Sequence, residues 1–211
     1  MLVLGINTVA DACEAALVRD GALVAELSEQ MNLGHDARLA PVVAQLMGKS
    51  GVTFPELDRI AVVVGPGSFT GVRVVVAFAR GLSVASSRPT PAVGVTSLEA
   101  LDALPREKRV LGLLPAKRRP PQKTWWAQIL ESGRGRASPT EISEVELPSL
   151  LAGVDAVCGD LSSVPDFGKP RIDARPTAAA AALFASRLSG EWPEARPVYV
   201  REPDARPMDR P

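Results

Sequence analysis

Gly65-Pro66-Gly67-Ser68-Phe69-Thr70-Gly71-Val72-Arg73 decides the reading of this chain. Ile60-Ala61-Val62-Val63-Val64 leads into it, short and β-branched, which predicts a buried strand. Residues 72–85 lead out of it, longer and apolar, which predicts a helix. Three glycines and a proline between them make a strand, a tight turn and a helix. Such a turn can aim backbone N–H groups at an anion in front of the helix. It can equally be an elbow that lets the helix dock closely on the sheet. The candidate anion or nucleotide loop is Gly65, Gly67, Ser68, Thr70 and Gly71. The loop holds no Lys, and the elbow is the favoured reading.

Working outward, residues 2–8, 12–18 and 21–28 read as three strands, with Asp20-Gly21 in a hairpin turn. They form an antiparallel meander. Residues 34–50 then change period: Leu39, Val42, Val43, Leu46 and Met47 recur at helical spacing. Pro41 falls inside that helix, and Gly51 suits its C-terminal cap. In the helix after the turn, Val72, Val75, Val76, Ala79 and Leu82 make one stripe, while Val74, Ala77, Phe78 and Val84 cover much of the rest. A helix apolar most of the way round needs cover on two sides. The sheet supplies one; an internal layer or a partner chain supplies the other.

Residues 91–95 predict a strand, and Thr96-Ser97-Leu98-Glu99 a capping box opening a short helix. The polar run 105–109 marks the expected boundary, giving units 1–104 and 105–211. Residues 110–114, 124–130 and 156–159 read as strands, and 147–151 and 177–188 as helices. Pro115 to Lys123 is basic and Pro-rich, with Lys117, Arg118, Arg119 and Lys123 able to touch phosphates, though such a run is usually solvated. The order is that of the actin/Hsp70/sugar-kinase domain, an α/β fold of two subdomains with a reduced second half.

Composition narrows the classes. The 211 residues are 46% hydrophobic, and 24 basic residues balance 24 acidic ones. A strongly basic nucleic-acid binder is not indicated. No run reaches the length of a membrane span, and no secretory leader is visible, so a cytoplasmic protein is expected. Cys13 and Cys158 sit among apolar residues and read as buried thiols. The single histidine, His35, stands beside Asp36 at a helix start, and the pair reads as capping residues rather than an acid–base couple. Trp125 and Trp126 alternate faces on a strand, so one belongs to the core.

The nine-residue motif resembles the GPGSFTGVR segment of the TsaB (YeaZ) family. Asn7-Thr8, Cys13, the His35 helix start, Gly94-Val95-Thr96-Ser97-Leu98 and the closing Pro197-Val198-Tyr199-Val200-Arg201 agree with it. The likeness is dense over residues 1–104 and sparse beyond. It implies an actin-like ATPase (ribonuclease H-like) fold. It also implies a non-catalytic subunit that pairs with the catalytic subunit TsaD. With the ATPase TsaE, that assembly places a threonylcarbamoyl group on adenosine 37 of tRNAs reading ANN codons. Alone, the chain is expected to form a homodimer, and to meet tRNA only indirectly or weakly. The pairing surface is expected on the two first-unit helices, at Leu39, Val43, Met47, Val72, Val75, Val76 and Ala79.

TsaD-like chains carry a pair of metal-binding His four residues apart. The resemblance puts those positions at Ser97 and Leu101, so no metal, no cofactor and no catalytic residue are expected here. The family's first strand usually ends in Asp-Thr, and Asn7 replaces that acid, which weakens any Mg-ATP reading. Leu114-Pro115-Ala116-Lys117 stands where an Asp-Ala-Arg is common. The other classes in view are a nucleotide-dependent enzyme of the ATPase/sugar-kinase superfamily, a metallopeptidase-like hydrolase and a bare dimerisation module.

Overall fold

The computed structural model describes residues 1–85, 89–116 and 123–200. Three strands open the chain: β1 (Leu2–Asn7), β2 (Ala12–Arg19) and β3 (Ala22–Gln30). They pair antiparallel through the Asp20-Gly21 turn, where both residues take positive φ, 51° and 80°. Helix α1 (His35–Ser50) follows, closed by Gly51 in the left-handed conformation. Pro41 lies inside it on the exposed side. Strand β4 (Arg59–Val63), helix α2 (Phe69–Ala85) and strand β5 (Ala92–Val95) complete a five-stranded sheet of order β3-β2-β1-β4-β5. Its last two pairings are parallel, as strands joined through helices must be.

The capping box at Thr96 forms, but the helix expected after it does not. Glu99 accepts from Thr96 N at 3.0 Å, and Thr96 Oγ1 accepts from Glu99 N at 3.1 Å. One turn closes, and the chain then runs out to a bridge between Leu101 and Pro176. Glu99 is pulled away at the same time, accepting from Gly135 N at 2.9 Å. Tertiary pairing therefore overrides a sound local start signal.

The second sheet has the order β11-β10-β6-β7-β8, with β9 also on β7. Its strands are β6 (Arg109–Pro115), β7 (Thr124–Glu131), β8 (Arg134–Gly135), β9 (Thr140–Ser143), β10 (Ala156–Gly159) and β11 (Arg171–Asp173). The short β8, β9 and β11 carry too few apolar residues to announce themselves in the sequence. Helix α3 (Leu147–Leu151) covers a core of Leu111, Leu113, Trp125, Ile142 and Val157. Trp125 is buried and Trp126 half-buried, as the alternation requires.

Helix α4 (Ala178–Ser186) returns to the first sheet and packs on β1, β2 and β4, on the face opposite α1 and α2. Its alanines permit a close approach. A Cβ at Gly5 would stand 2.0 Å from the Ala178 carbonyl. Thr177 caps α4 through its side chain, accepting from Ala180 N. The strands of the two sheets divide between residues 95 and 109, but α4 and residues to Val198 belong to the core of the first.

After α4 the chain runs along the free edge of β5. Gly94 N donates to the Pro193 carbonyl at 2.8 Å, Ala195 N to Ala92 at 3.2 Å, and Val198 N to Val64 at 2.8 Å. This strap, residues 187–199, hides the backbone edge that β5 would otherwise present to another strand.

Candidate functional site

The Gly-rich stretch is a close-packed elbow. Helix α2 begins at Phe69, inside the motif and before the Val72 expected. Ser68 precedes it, and its Oγ accepts from Gly71 N at 3.2 Å, the geometry of an N-terminal cap. Ser68 N donates to the Val9 carbonyl at 2.9 Å, and Thr8 Oγ1 to the Gly71 carbonyl at 2.7 Å. Two of the amides proposed for an anion are thus engaged within the chain. Two glycines are required by contact. A Cβ at Gly67 would lie 2.6 Å from Val9 O, and one at Gly71 would lie 1.9 Å from Thr8 O. Gly65 has φ 101°, with the Val198 carbonyl passing over it, and its peptide to Pro66 is cis. Thr70 is exposed.

Beside the elbow, a cleft of about 580 Å³ opens between the two sheets. Val9, Pro66 and Ser68 form one wall and Leu114, Trp126 and Asp160 the other, with Arg175 between them. The actin-like fold implies a magnesium nucleotide here, and the residue at the end of β1 does not fit one. Asn7 is fully buried and turned inward: its Nδ2 donates to Glu14 Oε2 and to the Pro176 carbonyl, both at 3.0 Å, and its Oδ1 accepts from Val9 N at 3.1 Å. Magnesium needs charged oxygen ligands or ligands open to it. The neighbouring acid, Glu14, is also committed. It accepts from Ser28 Oγ at 3.2 Å, Arg175 Nη1 at 2.6 Å and Ala178 N at 3.1 Å. That last bond puts its carboxylate at the N-terminal end of α4. The sequence reading missed Glu14; a lone acid in an otherwise apolar strand was the available signal.

The other singled-out residues are dispersed. Ser97 and Leu101 are buried in the turn after β5. His35 is buried as the first residue of α1 with Asp36 after it, and the capping position belongs to Gly34. Cys13 and Cys158 are free and buried. Burial pushes the thiols up, to about 11 and about 12, with Glu29 adding to the effect at Cys13. Neither is a nucleophile in that state. Of the basic segment, residues 117–122 lie outside the described residues, as does Arg201 of the tail motif. No helix among the described residues is long and apolar enough to cross a membrane.

The expected pairing residues need correction. Leu39, Val43, Met47, Val72, Val75, Val76 and Ala79 are all at most 4% exposed and pack in the chain's own core. The stripe with the strongest helical period is the one the sheet covers. The face left to solvent is a different set. On α1 it includes Ala37, Ala40, Pro41, Ala44 and Gly48 beside Asp36, Arg38, Gln45 and Lys49; on α2 it includes Thr70, Ala77, Gly81 and Val84, the last 77% exposed, beside Phe69, Arg73 and Arg80. Val74 and Phe78 stay half-buried. The two helices lie side by side, and each carries a row of small exposed residues flanked by charged ones, Asp36, Arg38 and Lys49 on α1 and Arg73 and Arg80 on α2.

This geometry has relatives. The family model described as TsaD, tRNA N6-adenosine threonylcarbamoyltransferase, matches residues 28–115, the segment holding α1, the elbow and α2. The tRNA threonylcarbamoyladenosine biosynthesis protein TsaB of Escherichia coli is 30% identical over 181 residues, covering 80% of this chain and 76% of that protein. The Bacillus subtilis TsaB is 36% identical over 103 residues, 49% of this chain and 44% of that one. YeaZ from Pseudomonas aeruginosa superposes with a TM-score of 0.68 at 25% identity, covering 94% of this chain and 99% of that one. A ROK hexokinase from Thermus thermophilus, 15% identical with a TM-score of 0.51 over 88% and 97% of the two chains, shares the fold alone. The fold is of the actin-like ATPase type, and the chain belongs to the TsaB (YeaZ) family, whose named members serve tRNA threonylcarbamoyladenosine biosynthesis.

Proposed function

We propose that this chain is the non-catalytic partner subunit in threonylcarbamoylation of adenosine 37 in tRNAs reading ANN codons, and that it acts by pairing with a TsaD-type catalytic subunit. The observation that carries the reading is the outer face of α1 and α2. Ala37, Pro41, Ala44 and Gly48 form one ridge and Thr70, Ala77, Gly81 and Val84 the other. Ridges of small residues let facing helices approach closely. The TsaD family model matches the segment that contains both helices. Two chains sharing that unit can meet face to face through equivalent surfaces, as in a two-fold dimer. In the absence of TsaD the same face would join two copies of this chain. A TsaE-type ATPase would act on the assembled pair, and tRNA would meet this subunit only at its margin.

The non-catalytic part of the reading rests on the chain's own side chains. Leu101 offers no donor atom where the catalytic relative is expected to have a histidine. Asn7 and Glu14 are held in a closed network away from the cleft. The cleft itself favours a second reading, a nucleotide-binding subunit, and micromolar binding of Mg-ATP to the isolated chain in calorimetry would support it over the first.

The test is reconstitution. TsaD, TsaE, tRNA, threonine, bicarbonate and ATP are combined with and without this chain, and the modified nucleoside is measured. Full modification without the chain would sink the reading. Ala77→Glu and Ala44→Arg should abolish pairing while leaving the thermal midpoint within a few degrees, because both sites face solvent. Val76→Glu is not a test of the surface, since Val76 is 4% exposed and a buried charge would unfold the chain.

A further inference from the structure

Helix α2 carries two arginines and no acid, and the structure uses the two differently. Arg80 Nε donates to the Ala195 carbonyl at 3.1 Å and so pins the strap. Arg73 is held by rings. Its guanidinium carbon lies 3.8 Å from the centre of Phe69 and 6.0 Å from that of Tyr199. The two rings are 5.2 Å apart, tilted by 40°, and Arg73 Nε donates to the Tyr199 hydroxyl at 3.1 Å. Phe69 and Tyr199 are 38% and 46% exposed, so the cluster stands at the surface. Among the described residues no carboxylate pairs with Arg73, whereas Arg38, Arg109, Arg136, Arg175 and Arg196 each have one.

An exposed arginine left to itself samples many rotamers, and fixing it on binding costs entropy. Here the aromatic clamp and the tyrosine hydroxyl fix the plane of the guanidinium beforehand, with no partner for its Nη edge among the described residues. That is a preorganised fork for one planar anion. The position adds a second constraint. Arg73 and Ala77 are four residues apart and therefore neighbours on the outward side of α2. The fork sits at the strap-side margin of the small-residue ridge.

We propose that Arg73, clamped by Phe69 and Tyr199, is a docking residue that takes a carboxylate of the partner subunit at the margin of the pairing face. The inference rests on the pairing reading above. A protein carboxylate is favoured over a nucleic-acid phosphate for two reasons. The ridge beside Arg73 is apolar and small, which suits a helix and not a sugar–phosphate backbone. A phosphate track needs several clustered free cations, and the other arginine of α2, Arg80, is engaged with the Ala195 carbonyl, on a chain of zero net charge. Aromatic-flanked arginines are also the residue type that dominates protein interfaces.

The experiment uses the full chain and the purified TsaD protein of the same genome, titrated calorimetrically at low and moderate salt. Arg73→Ala should weaken pairing about 30-fold, in the range seen for truncating an interfacial charged partner. Arg73→Lys keeps the charge and loses the fork, and should cost about tenfold. Tyr199→Phe removes one hydrogen bond and should cost a few-fold. Thermal midpoints close to the parent's in Arg73→Lys and Tyr199→Phe exclude unfolding as the cause. If Ala77→Glu abolishes pairing and Arg73→Ala changes it less than twofold, the docking role is overturned and the pairing face stands. If neither substitution matters, the pairing reading itself falls. Unchanged pairing with weaker tRNA binding by the complex would assign a phosphate instead. A loss seen only in self-association would assign the contact to a second copy. Both would overturn the proposal.

Discussion

The side of the elbow turned to the cleft and the side of α2 turned to solvent come from one stretch of chain, and they differ in how their groups are satisfied. Behind the cleft, Asn7, Glu14, Arg175 and the Ala178 amide of α4 close on one another. On the solvent side, Ala77, Gly81 and Val84 are exposed, and Arg73 has a fixed plane and no acid among the described residues. In an ATPase of this fold the cleft would hold the open polar groups. Here Asn7 and Glu14, behind the cleft, are tied up in the chain's own network, while Ala77, Gly81, Val84 and Arg73 stand exposed on α2.

The sharpest way to break that contrast is Glu14→Ala. It would leave one of the two Asn7 amide hydrogens and the Ala178 N–H buried without an acceptor and Arg175 without its acid. Each buried orphan costs about 1–3 kcal/mol, so a loss of about 4 kcal/mol is expected in urea denaturation. A change below about 1 kcal/mol would mean that the network contributes little and that Glu14 is free for other work.

One substitution made at two glycines of α2 separates the sides more finely. Gly71→Ala drives a Cβ to 1.9 Å from Thr8 O, so helix and strand must part, at about 3 kcal/mol. Gly81→Ala meets nothing within 4 Å and should gain about 0.8 kcal/mol from helix propensity alone. The same pair read in a pairing assay should invert: Gly81→Ala, stable when alone, should weaken docking several-fold if a helix packs against that ridge. Equal stability effects at the two positions would mean that the elbow is looser than its contacts indicate.

Much of this was legible beforehand, and the failures have physical causes. The meander, both long helices and the strands flanking the elbow follow from apolar period and turn residues, which local sequence carries. The short helix after Thr96 does not form, because Glu99 is shared with Gly135 and Leu101 pairs with Pro176, contacts far along the chain. The return of α4 to the first sheet depends on Gly5 and a run of alanines fitting together, which periodicity does not encode. The residues expected for pairing prove to be core residues for a related reason. Periodicity finds the buried stripe of a helix, and on α1 and α2 the monomer already buries it. The outer ridge is marked by the absence of large side chains, a weaker signal.

The smallest expected effect compares the two cores through their cysteines. Cys13 lies in the first core and Cys158 in the layer between the sheets, and burial raises both thiols, to about 11 and about 12. Raising the folded value favours the protonated thiol. Up to the unfolded thiol's ionisation, about pH 8.5, the shift has no effect on stability. Above it the unfolded chain sheds protons that the folded chain retains, so stability falls as pH rises, by at most about 1.4 kcal/mol per pH unit for each thiol. Denaturation of the parent and of Cys13→Ala and Cys158→Ala at pH 7.5, 8.5 and 9.5 isolates the contribution, since all other titrating groups are common to the three chains. Each variant should show a shallower decline than the parent, and by a similar amount, because both folded thiols titrate above this window. An identical slope in all three would mean that water reaches both sulfurs, and that the two cores are less tightly closed than the cleft network beside them.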